Sequence, residues 1–460
     1  MTVPALIEKF LSDANIAFDV VSSDSHESFL SAAKDSGIET KQLLRTIVIK
    51  SQDRQRMIVV RACDLLDFSL LSDAYGSQIQ LVENFRHGLR GCDPDSRVPL
   101  ATLLKMDVII DEAVKSQEEV YFDSGTKYDF IKIKTDDFLA LNQAAVIDQI
   151  SCPPERLYNI DHQEDGEDNK LVTFTPKRIH QRVEETLDLP AMPAIAQEVM
   201  RLRVDPNAGA MELAQVVGQD PSLAAQVISW ASSPYYGYQG QIDSLQTAIS
   251  RVLGFDLVLN LALGISVGKS LNVTPDGPLG LNAYWKQSVY NAALCEKLTS
   301  FIQGRVRPQR GLVYLSGLLH NFGQLLLGHL FPPQFYLINQ YVAMNPHIPL
   351  ADIERDLLNT NHLQIGSWLM KSWNMPEELI TAVRYHHSEN TFQEHAVYAN
   401  LVLISNRLLK RIGIGDASQL LLPEALLESV GIQEEDAFKA LDLIVSDEQE
   451  LNSIAQQLVA

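Results

Sequence analysis

The stretch Gly317-Leu318-Leu319-His320-Asn321-Phe322-Gly323-Gln324 places one histidine inside an apolar run of helical character. Two further histidine sites follow it in the chain, first His362 and then the pair His386-His387. Side chains on successive helices can converge on one point in the core of a helical bundle. The pattern therefore predicts an all-helical region with a cluster of histidines near its centre.

Helical periodicity extends outward from this stretch over residues 178–410. Asp220-Pro221 has the form of a helix start, because aspartate accepts hydrogen bonds from free N–H groups and proline fits the first helical position. Residues 411–460 are predicted to form a C-terminal helical extension. Further helices are predicted at 245–261, 289–301, 311–327, 353–373, 376–386 and 396–412.

The first 150 residues show a different pattern, in which short β-branched and aromatic runs alternate with helical segments. Predicted strands are Thr46–Lys50, Met57–Arg61, Val108–Ile110, Val120–Phe122 and Phe130–Ile133. This segment is predicted to be an α+β domain. Residues 151–177 contain Pro153-Pro154 and an acidic run without periodicity, and are predicted to be a linker.

Charge and cysteine content restrict the classes of function. The 460-residue chain has 37 basic and 58 acidic side chains, a net charge of −21, which disfavours nonspecific binding to nucleic acid or anionic membrane. Its four cysteines are scattered and form no Cys-x-x-Cys pair, which is typical of reduced thiols. No secretory signal and no bilayer-length apolar run is visible. We therefore expect a cytoplasmic protein without membrane contact.

A series of short motifs in a fixed order spans residues 178–410. The motifs are Leu189-Pro190-Ala191-Met192-Pro193, Asp220-Pro221, Tyr235-Tyr236-Gly237, Gly317-Leu318-Leu319-His320, Glu354, His362, Gly366, Trp373, Pro376 and His386-His387. In this order they resemble the HDOD family, an all-helical relative of the HD phosphohydrolases that is usually regarded as lacking their activity. The resemblance implies a bacterial regulatory protein in signal transduction.

The resemblance also locates the positions of a degenerate HD metal site. The first HD histidine is replaced by Gln287, the namesake His-Asp pair is His320-Asn321, the lysine after it is Gln324, and the final aspartate is Asn406. Both carboxylates are therefore neutral amides here. A carboxylate usually bridges two metal ions, so their loss argues against a binuclear hydrolytic site.

The surviving histidines leave two interpretations open. We expect no cofactor, with His320 as a core histidine whose ring nitrogens are satisfied by backbone groups. The alternative is one divalent metal ion held by the set His320, His362, His386 and His387.

A second set of motifs covers most of the first 145 residues. The motifs are His26, Ala32-Ala33, Arg45-Thr46-Ile47-Val48-Ile49, Gly91-Cys92-Asp93-Pro94, Ile110-Asp111 and Ser124-Gly125. They resemble the YbaK / prolyl-tRNA-synthetase-associated editing family, which hydrolyses mischarged aminoacyl-tRNA. Arg45 stands where that family has a lysine, and Ser96 where it has a glycine.

The editing resemblance implies Arg45, Gly91 and Asp111 as candidate deacylase residues. A deacylase needs hydrogen-bond donors for the ester carbonyl and a positioned water. The planar guanidinium of Arg45 is not equivalent to a compact ammonium group. The alternative is that Arg45 is a surface strand residue paired with Asp64 or Asp111.

Two hypotheses of different classes follow. In the first, the chain is a noncatalytic regulator whose HDOD-like region binds a protein partner or small ligand, with the editing-like region as a recognition module. In the second it is an enzyme, either a residual aminoacyl-tRNA deacylase or a metal-dependent phosphohydrolase. We consider tRNA a less favoured partner, and the oligomeric state stays open.

Overall fold

The chain forms two compact units, each of which is discontinuous in sequence. The computed structural model describes residues 3–23, 29–52, 54–76, 79–82, 85–126, 129–157, 192–233, 236–238, 240–269, 271–303, 307–389, 391–417 and 421–459. The first unit is Met1–Glu164 with Gln340–Pro349, and the second is Asp165–Asn339 with Leu350–Ala460. Most of the predicted linker, together with His26, Leu189-Pro190-Ala191 and Tyr235 of the motifs, lies outside the described residues.

The first unit is an α+β fold, as predicted. Its strands are β1 (Asp19–Ser22), β2 (Leu44–Ser51), β3 (Arg54–Arg61), β4 (Leu65–Leu66), β5 (Ile79–Leu81), β6 (Asp107–Asp111), β7 (Glu119–Asp123), β8 (Asp129–Lys134), β9 (Val146–Asp148) and β10 (Ser151–Cys152). The largest sheet has the order β5-β2-β3-β6-β9, with β3, β6 and β9 parallel to one another. Strands β2 and β3 pair antiparallel, as do β7 and β8, and all four lie at predicted strand segments.

Helices accompany these sheets. They are Ala5–Asp13, Phe29–Asp35, Phe68–Tyr75, Ala101–Leu104 and Thr135–Leu141, with 3-10 turns Glu112–Ser116 and Pro154–Leu157. The large sheet has a core on each face, because successive side chains of strand β2 point in opposite directions. Leu44 and Val48 pack into one core cluster, whereas Ile47 and Ile49 pack into the other.

Residues 340–349 complete the second of these clusters. Met344 is buried among Ile47, Ile49 and their neighbours. Asn345 is fully buried, and its amide bonds both main-chain groups of Leu66, accepting from the N–H at 2.8 Å and donating to the oxygen at 3.2 Å. The segment therefore supplies hydrogen bonds that a neighbouring strand would otherwise give to β4.

The second unit is helical throughout its described residues. Asp220 begins one helix as predicted, accepting hydrogen bonds from Ser222 and Leu223 N–H at 2.8 and 3.1 Å. The helices are Ala194–Val204, Ala210–Val217, Pro221–Ala231, Leu245–Thr247 with π-helix Ala248–Leu253, Phe255–Gly268, Leu281–Thr299, Arg310–Leu319, Phe322–Leu330, Pro332–Met344 (in the first unit from Gln340), Leu350–Leu358, His362–Ser372, Glu377–Tyr385, Ala396–Lys410, Glu424–Val430, Glu434–Ser446 and Glu448–Val459.

Three helices predicted as continuous are interrupted. The prediction of one helix at 245–261 is wrong, because the helix breaks at Gly254, where φ is +86°. The prediction of one helix at 353–373 is wrong for the same reason, since φ is +54° at Asn359. The predicted helix 311–327 is divided at His320-Asn321. Among the described residues no single helix has the length and apolar character needed to cross a membrane; one pair, Leu245–Leu253 with Phe255–Gly268, meets that test only together and is bent by 117°.

Replacing Asn345 by alanine should destabilise the first unit by about 2 kcal/mol, because it leaves the buried N–H and carbonyl of Leu66 without partners. Hydrogen exchange at the Leu66 amide, followed by mass spectrometry, measures this change as faster exchange. The matched control is Asn207→Ala at an exposed asparagine of the second unit. Equal exchange rates in wild type and Asn345→Ala would contradict the assignment.

Candidate functional site

Three helix ends bring the histidines together in the second unit. His320 follows helix Arg310–Leu319, His362 is the first residue of helix His362–Ser372, and His386 follows helix Glu377–Tyr385. All three are buried, and His387 is partly buried. Helix ends carry free backbone groups, so they are places where a buried polar side chain finds a partner.

Glycines allow two of these helices to approach closely. A Cβ atom on Gly323 would overlap the carbonyl oxygen of His362, and one on Gly366 would lie 3.0 Å from the Gly323 nitrogen. Only glycine fits where two backbones meet at this distance. The contact holds the start of helix His362–Ser372 against the start of helix Phe322–Leu330, next to His320 and Asn321.

The histidine rings are in mutual contact. The ring centroids of His320 and His386 are 4.9 Å apart, those of His362 and His386 5.6 Å, those of His362 and His387 5.5 Å, and those of His386 and His387 4.6 Å. The structure thus brings together all four histidines that the sequence singled out.

Hydrogen bonds fix which nitrogen of each buried ring carries the proton. Nδ1 of His320 lies 2.7 Å from the oxygen of Gly317, and Nδ1 of His386 lies 3.0 Å from the oxygen of Val383. Nδ1 of His362 lies 2.6 Å from Oε2 of Glu354. Because carbonyl and carboxylate oxygens only accept, each Nδ1 is the donor. In a ring that is neutral, Nε2 therefore presents a lone pair.

The Nε2 lone pairs lack donors in the described part of the chain. Nε2 of His320 and of His362 has no hydrogen-bond partner there. Nε2 of His386 lies 3.2 Å from the Asn321 amide oxygen, so the amide must turn its nitrogen toward the ring to form a hydrogen bond. A group of lone pairs facing a common space favours a cation or a donor group there.

Burial keeps the rings of His320, His386 and His387 neutral. Burial lowers the pKa of His320 to about 4 and the pKa of His386 well below its usual value. The pKa of His387 is also lowered by burial, although the charge of Asp416 opposes this effect. Neutral imidazole is the form that binds metal ions.

The amides at the former carboxylate positions are engaged with other amides. Oδ1 of Asn406 accepts from Nδ2 of Asn291 at 2.9 Å and from Nε2 of Gln287 at 3.3 Å. Gln287, the position of the first HD histidine, is therefore part of the same network. These groups are neutral, so they do not offset the charge of a bound dication.

The donor set fits one divalent ion rather than two. One nitrogen each of His362, His386 and His387 lies within 4.8 Å of the others. Three imidazoles suit a single zinc-type ion, and the Glu354 hydrogen bond orients His362 as outer carboxylates do in histidine metal sites. A second ion would lack a bridging carboxylate, because Asn321 and Asn406 occupy those positions.

Sequence reasoning gave no role to three charged residues beside the cluster. Glu354 accepts both the Nδ1 proton and the backbone N–H of His362. Lys410 forms an ion pair of 3.0 Å with Asp416, which also accepts from the N–H of Leu350 at 2.8 Å. Although burial opposes its ionisation, the charge of Lys410 and the hydrogen bonds from Lys410 and Leu350 N–H hold the pKa of Asp416 well below its usual value. In the sequence, the signal available for the Glu354–His362 contact was the eight-residue spacing between these residues.

Arg45 is buried in the first unit. The alternative that it is a surface residue paired with Asp64 or Asp111 is wrong, because it is 7% exposed. Its guanidinium donates to the main-chain oxygen of Met344, to Oδ1 of Asn345 at 3.3 Å and to the main-chain oxygen of Asp64 at 3.3 Å. The Asp64 carboxylate pairs with Arg61 instead. Burial lowers the pKa of Arg45 to about 10, so the guanidinium stays charged at neutral pH.

The other candidate deacylase residues do not join Arg45. Asp111 is buried, and its oxygens accept from the N–H groups of Ala113, Ile150 and Ser151 at 2.8 to 3.0 Å. Gly91 has positive φ, +82°, and its neighbour Cys92 packs against the core cluster of Leu44 and Val48. Arg45 points to the opposite face of the sheet, with Ile47 and Ile49.

Two family models match the chain, one largely in each of these two units. The HDOD domain model matches residues 189–389, and the aminoacyl-tRNA editing domain model matches residues 26–141. The chain contains an HDOD domain, preceded by an editing domain. The fold prediction of an α+β domain followed by an all-helical HDOD domain is therefore confirmed.

Relatives of this HDOD-domain protein cover different shares of it. A crystal structure from Marinobacter aquaeolei VT8, described as a candidate signal transduction protein, is 29% identical over 100% of both chains with a TM-score of 0.78. An HDOD domain protein of unknown function from Geobacter sulfurreducens is 21% identical, covering 61% of this chain and 97% of its own, with a TM-score of 0.50, which shows the fold alone. An uncharacterised Treponema pallidum (strain Nichols) protein is 22% identical over 274 residues; these are 59% of this chain and 51% of that protein, so the chain spans about half its length. The HDOD domain and the similarity to the Marinobacter protein fit a regulatory role.

Acid should destabilise the HDOD domain through His320. The unfolded ring has a pKa of about 6.5, whereas the folded ring has a pKa of about 4, so the unfolded state binds more protons between these values. Stability therefore falls as the pH falls through that window, and His320 alone accounts for about 2 kcal/mol between pH 7.5 and pH 5.

Urea denaturation followed by far-UV circular dichroism at both pH values measures this effect. In His320→Gln the pH dependence should shrink by about 2 kcal/mol. The control is Asn207→Gln, at an exposed position outside the histidine cluster, which should keep the wild-type dependence. An unchanged pH dependence in His320→Gln would remove the ring from this role.

Proposed function

We propose that this protein is a noncatalytic regulator whose HDOD domain binds a protein partner or small ligand without hydrolysing it. The observation that carries the proposal is the pair Asn321 and Asn406 at the two positions of the HD carboxylates. Hydrolysis by a binuclear centre needs anionic ligands that hold two ions and lower the pKa of a bound water. Neutral amides serve neither purpose.

The contacts of the amides support the same conclusion. Asn406 is held by Asn291 and Gln287, and Asn321 lies against His386. The contacts among Asn406, Asn291 and Gln287 join neutral amides, so they form without a metal ion. We propose that a single divalent ion is the upper limit for His362, His386 and His387, and that it would act by holding these helix ends together.

We propose that the editing domain is a recognition module. The contacts of Arg45 with Met344, Asn345 and Asp64 support this, because a guanidinium engaged with three buried oxygens has few donors left for an ester carbonyl. The separation of Arg45 and Gly91 on opposite faces of the sheet supports it further. A residual deacylase stays the alternative.

Metal stoichiometry tests the HDOD proposal. Wild-type protein equilibrated with Zn²⁺ or Mn²⁺ and then desalted should hold no more than one equivalent by elemental mass spectrometry, and should not hydrolyse bis(p-nitrophenyl) phosphate. The double variant Asn321→Asp/Asn406→Asp should hold more metal, because it restores two anionic ligands. The control is Asn207→Asp. Two equivalents in wild type, with hydrolysis that His386→Ala abolishes, would overturn the proposal.

Deacylation of mischarged tRNA tests the editing domain separately. The full chain should release no amino acid above the uncatalysed rate. Arg45→Lys should not create deacylase activity either, because the groups around position 45 accept hydrogen bonds from its side chain in the folded protein. Release of radiolabelled amino acid from mischarged tRNA measures this directly. Release by wild type that is lost in Arg45→Ala would show that the domain is an enzyme.

A further inference from the structure

Residues 340–349 are an addition to the editing domain. The editing domain model matches residues 26–141, whereas the first unit also contains Gln340–Pro349, which follow much later in the chain. The part of the unit that the family model matches is therefore complete in sequence without this segment. The contacts of the segment with the domain indicate what it does there.

The segment meets the domain with oxygen atoms that accept hydrogen bonds. Oε1 of Gln340 accepts from the N–H of Leu81 at 3.1 Å, and the hydroxyl of Tyr341 accepts from the N–H of Phe68 at 3.0 Å. The rings of Phe68 and Tyr341 are also in contact, with centroids 5.7 Å apart. The domain thus presents donors on this face, and the segment supplies their acceptors.

Arg45 holds two oxygens of the segment at once. Its Nη1 donates to the main-chain oxygen of Met344, and its Nη2 donates to Oδ1 of Asn345 at 3.3 Å. Two oxygens on the two terminal nitrogens of one guanidinium are the arrangement in which arginine binds a carboxylate. The segment therefore places two neutral oxygens where a carboxylate would place two charged ones.

The charge of Arg45 is not matched by an anion. The guanidinium forms no ion pair within the described residues, and the nearby carboxylate of Asp64 pairs with Arg61 at 2.6 Å instead. Nε of Arg45 is buried and has no hydrogen-bond partner in that part of the chain. A buried charge is costly unless an opposite charge accompanies it. An anionic ligand would therefore gain more from this position than the neutral oxygens of the segment do.

An apolar pocket beside Arg45 holds an unbranched side chain. Met344 is 1% exposed and packs in the core cluster that contains Ile47, Ile49 and Leu71. Methionine is linear and flexible, so it fills such a pocket without a branched shape. Because the oxygen of Met344 lies on Arg45 and its side chain lies in the cluster, a carboxylate that bears a linear aliphatic side chain would repeat both contacts.

We propose that residues 340–349 are a built-in ligand of the editing domain, occupying a site for small carboxylates with an unbranched aliphatic side chain. A free ligand binds when the segment is displaced, and the segment and the ligand compete for Arg45. The ligand also accepts from the N–H of Leu66, which donates to Oδ1 of Asn345 at 2.8 Å in the occupied site. The inference rests on the recognition role proposed for the editing domain and names its ligand class and its regulation.

N-acetyl-L-methionine, titrated into the full-length protein and followed by ligand-observed NMR, tests the site. Wild type should bind with a dissociation constant on the order of 10 mM, because the segment competes within the same chain. Met344→Ala/Asn345→Ala removes the occupying side chain and amide, and should bind at least about 10-fold more tightly. N-acetyl-L-methioninamide, the neutral analogue, should bind this variant at least about 10-fold more weakly than the acid.

Tyr341→Phe provides the same test with a smaller change to the core. It removes only the hydroxyl that accepts from the N–H of Phe68, so the segment is held less firmly while the Met344 side chain stays in place. This variant should bind N-acetyl-L-methionine at least about 5-fold more tightly than wild type. The matched control is Tyr336→Phe, which removes a hydroxyl from an exposed tyrosine and should bind as wild type does.

Two results would overturn the proposal. One is equal affinity of Tyr341→Phe and wild type for N-acetyl-L-methionine, which holds even where the double variant does not fold. The other is equal affinity of either variant for the acid and the amide. Failure of the proposed recognition role is a different result, because N-acetyl-L-methionine contains no ester: deacylation of tRNA contradicts that role, whereas absent binding contradicts the occupied site.

Discussion

The close approach of two backbones at Gly323 fixes where His362 lies relative to His320 and Asn321 in the histidine cluster. A side chain at Gly323 would overlap the carbonyl of His362, so only glycine fits at this position. Helix His362–Ser372 must therefore begin beside His320. The positions of the other histidines are set by the ends of their own helices. The cluster is thus defined by main-chain packing, which persists whether or not the side chains keep a metal-binding chemistry.

This separation of scaffold from chemistry explains how a site can lose its carboxylates and keep its architecture. His320, His362 and His386 each bind a main-chain or carboxylate oxygen through Nδ1, so their orientation needs no metal ion. Asn321 and Asn406 fill the volumes of aspartates without the charge that two dications require. A domain of this kind keeps the packing of its helices without a metal ion.

The sequence predicted the elements of this protein better than their ends. β-branched and aromatic runs identified the strands β2, β3, β7 and β8, and Asp220 identified a helix start, because these signals are local. The interruptions at Gly254 and Asn359 depend on left-handed backbone geometry that periodicity does not detect. The four histidines were found from the order of motifs, whereas Lys410 and Asp416 were missed because tertiary packing alone brings them near. For the same reason the bond from Arg45 to residues 344–345, about 300 positions away, could not be predicted.

That last contact makes the first unit depend on the order in which the chain is synthesised. Residues 1–164 leave the ribosome first, but Met344 and Asn345, which fill one face of the sheet and pair with Leu66, come after residues 165–339. At typical translation rates of about 5–20 residues per second this interval is roughly 10–35 s. During it, the main-chain groups of Leu66 and the guanidinium of Arg45 lack their partners. The nascent editing domain therefore stays incomplete during this interval. A protein made from a gene fragment that ends at residue 164 stays incomplete permanently.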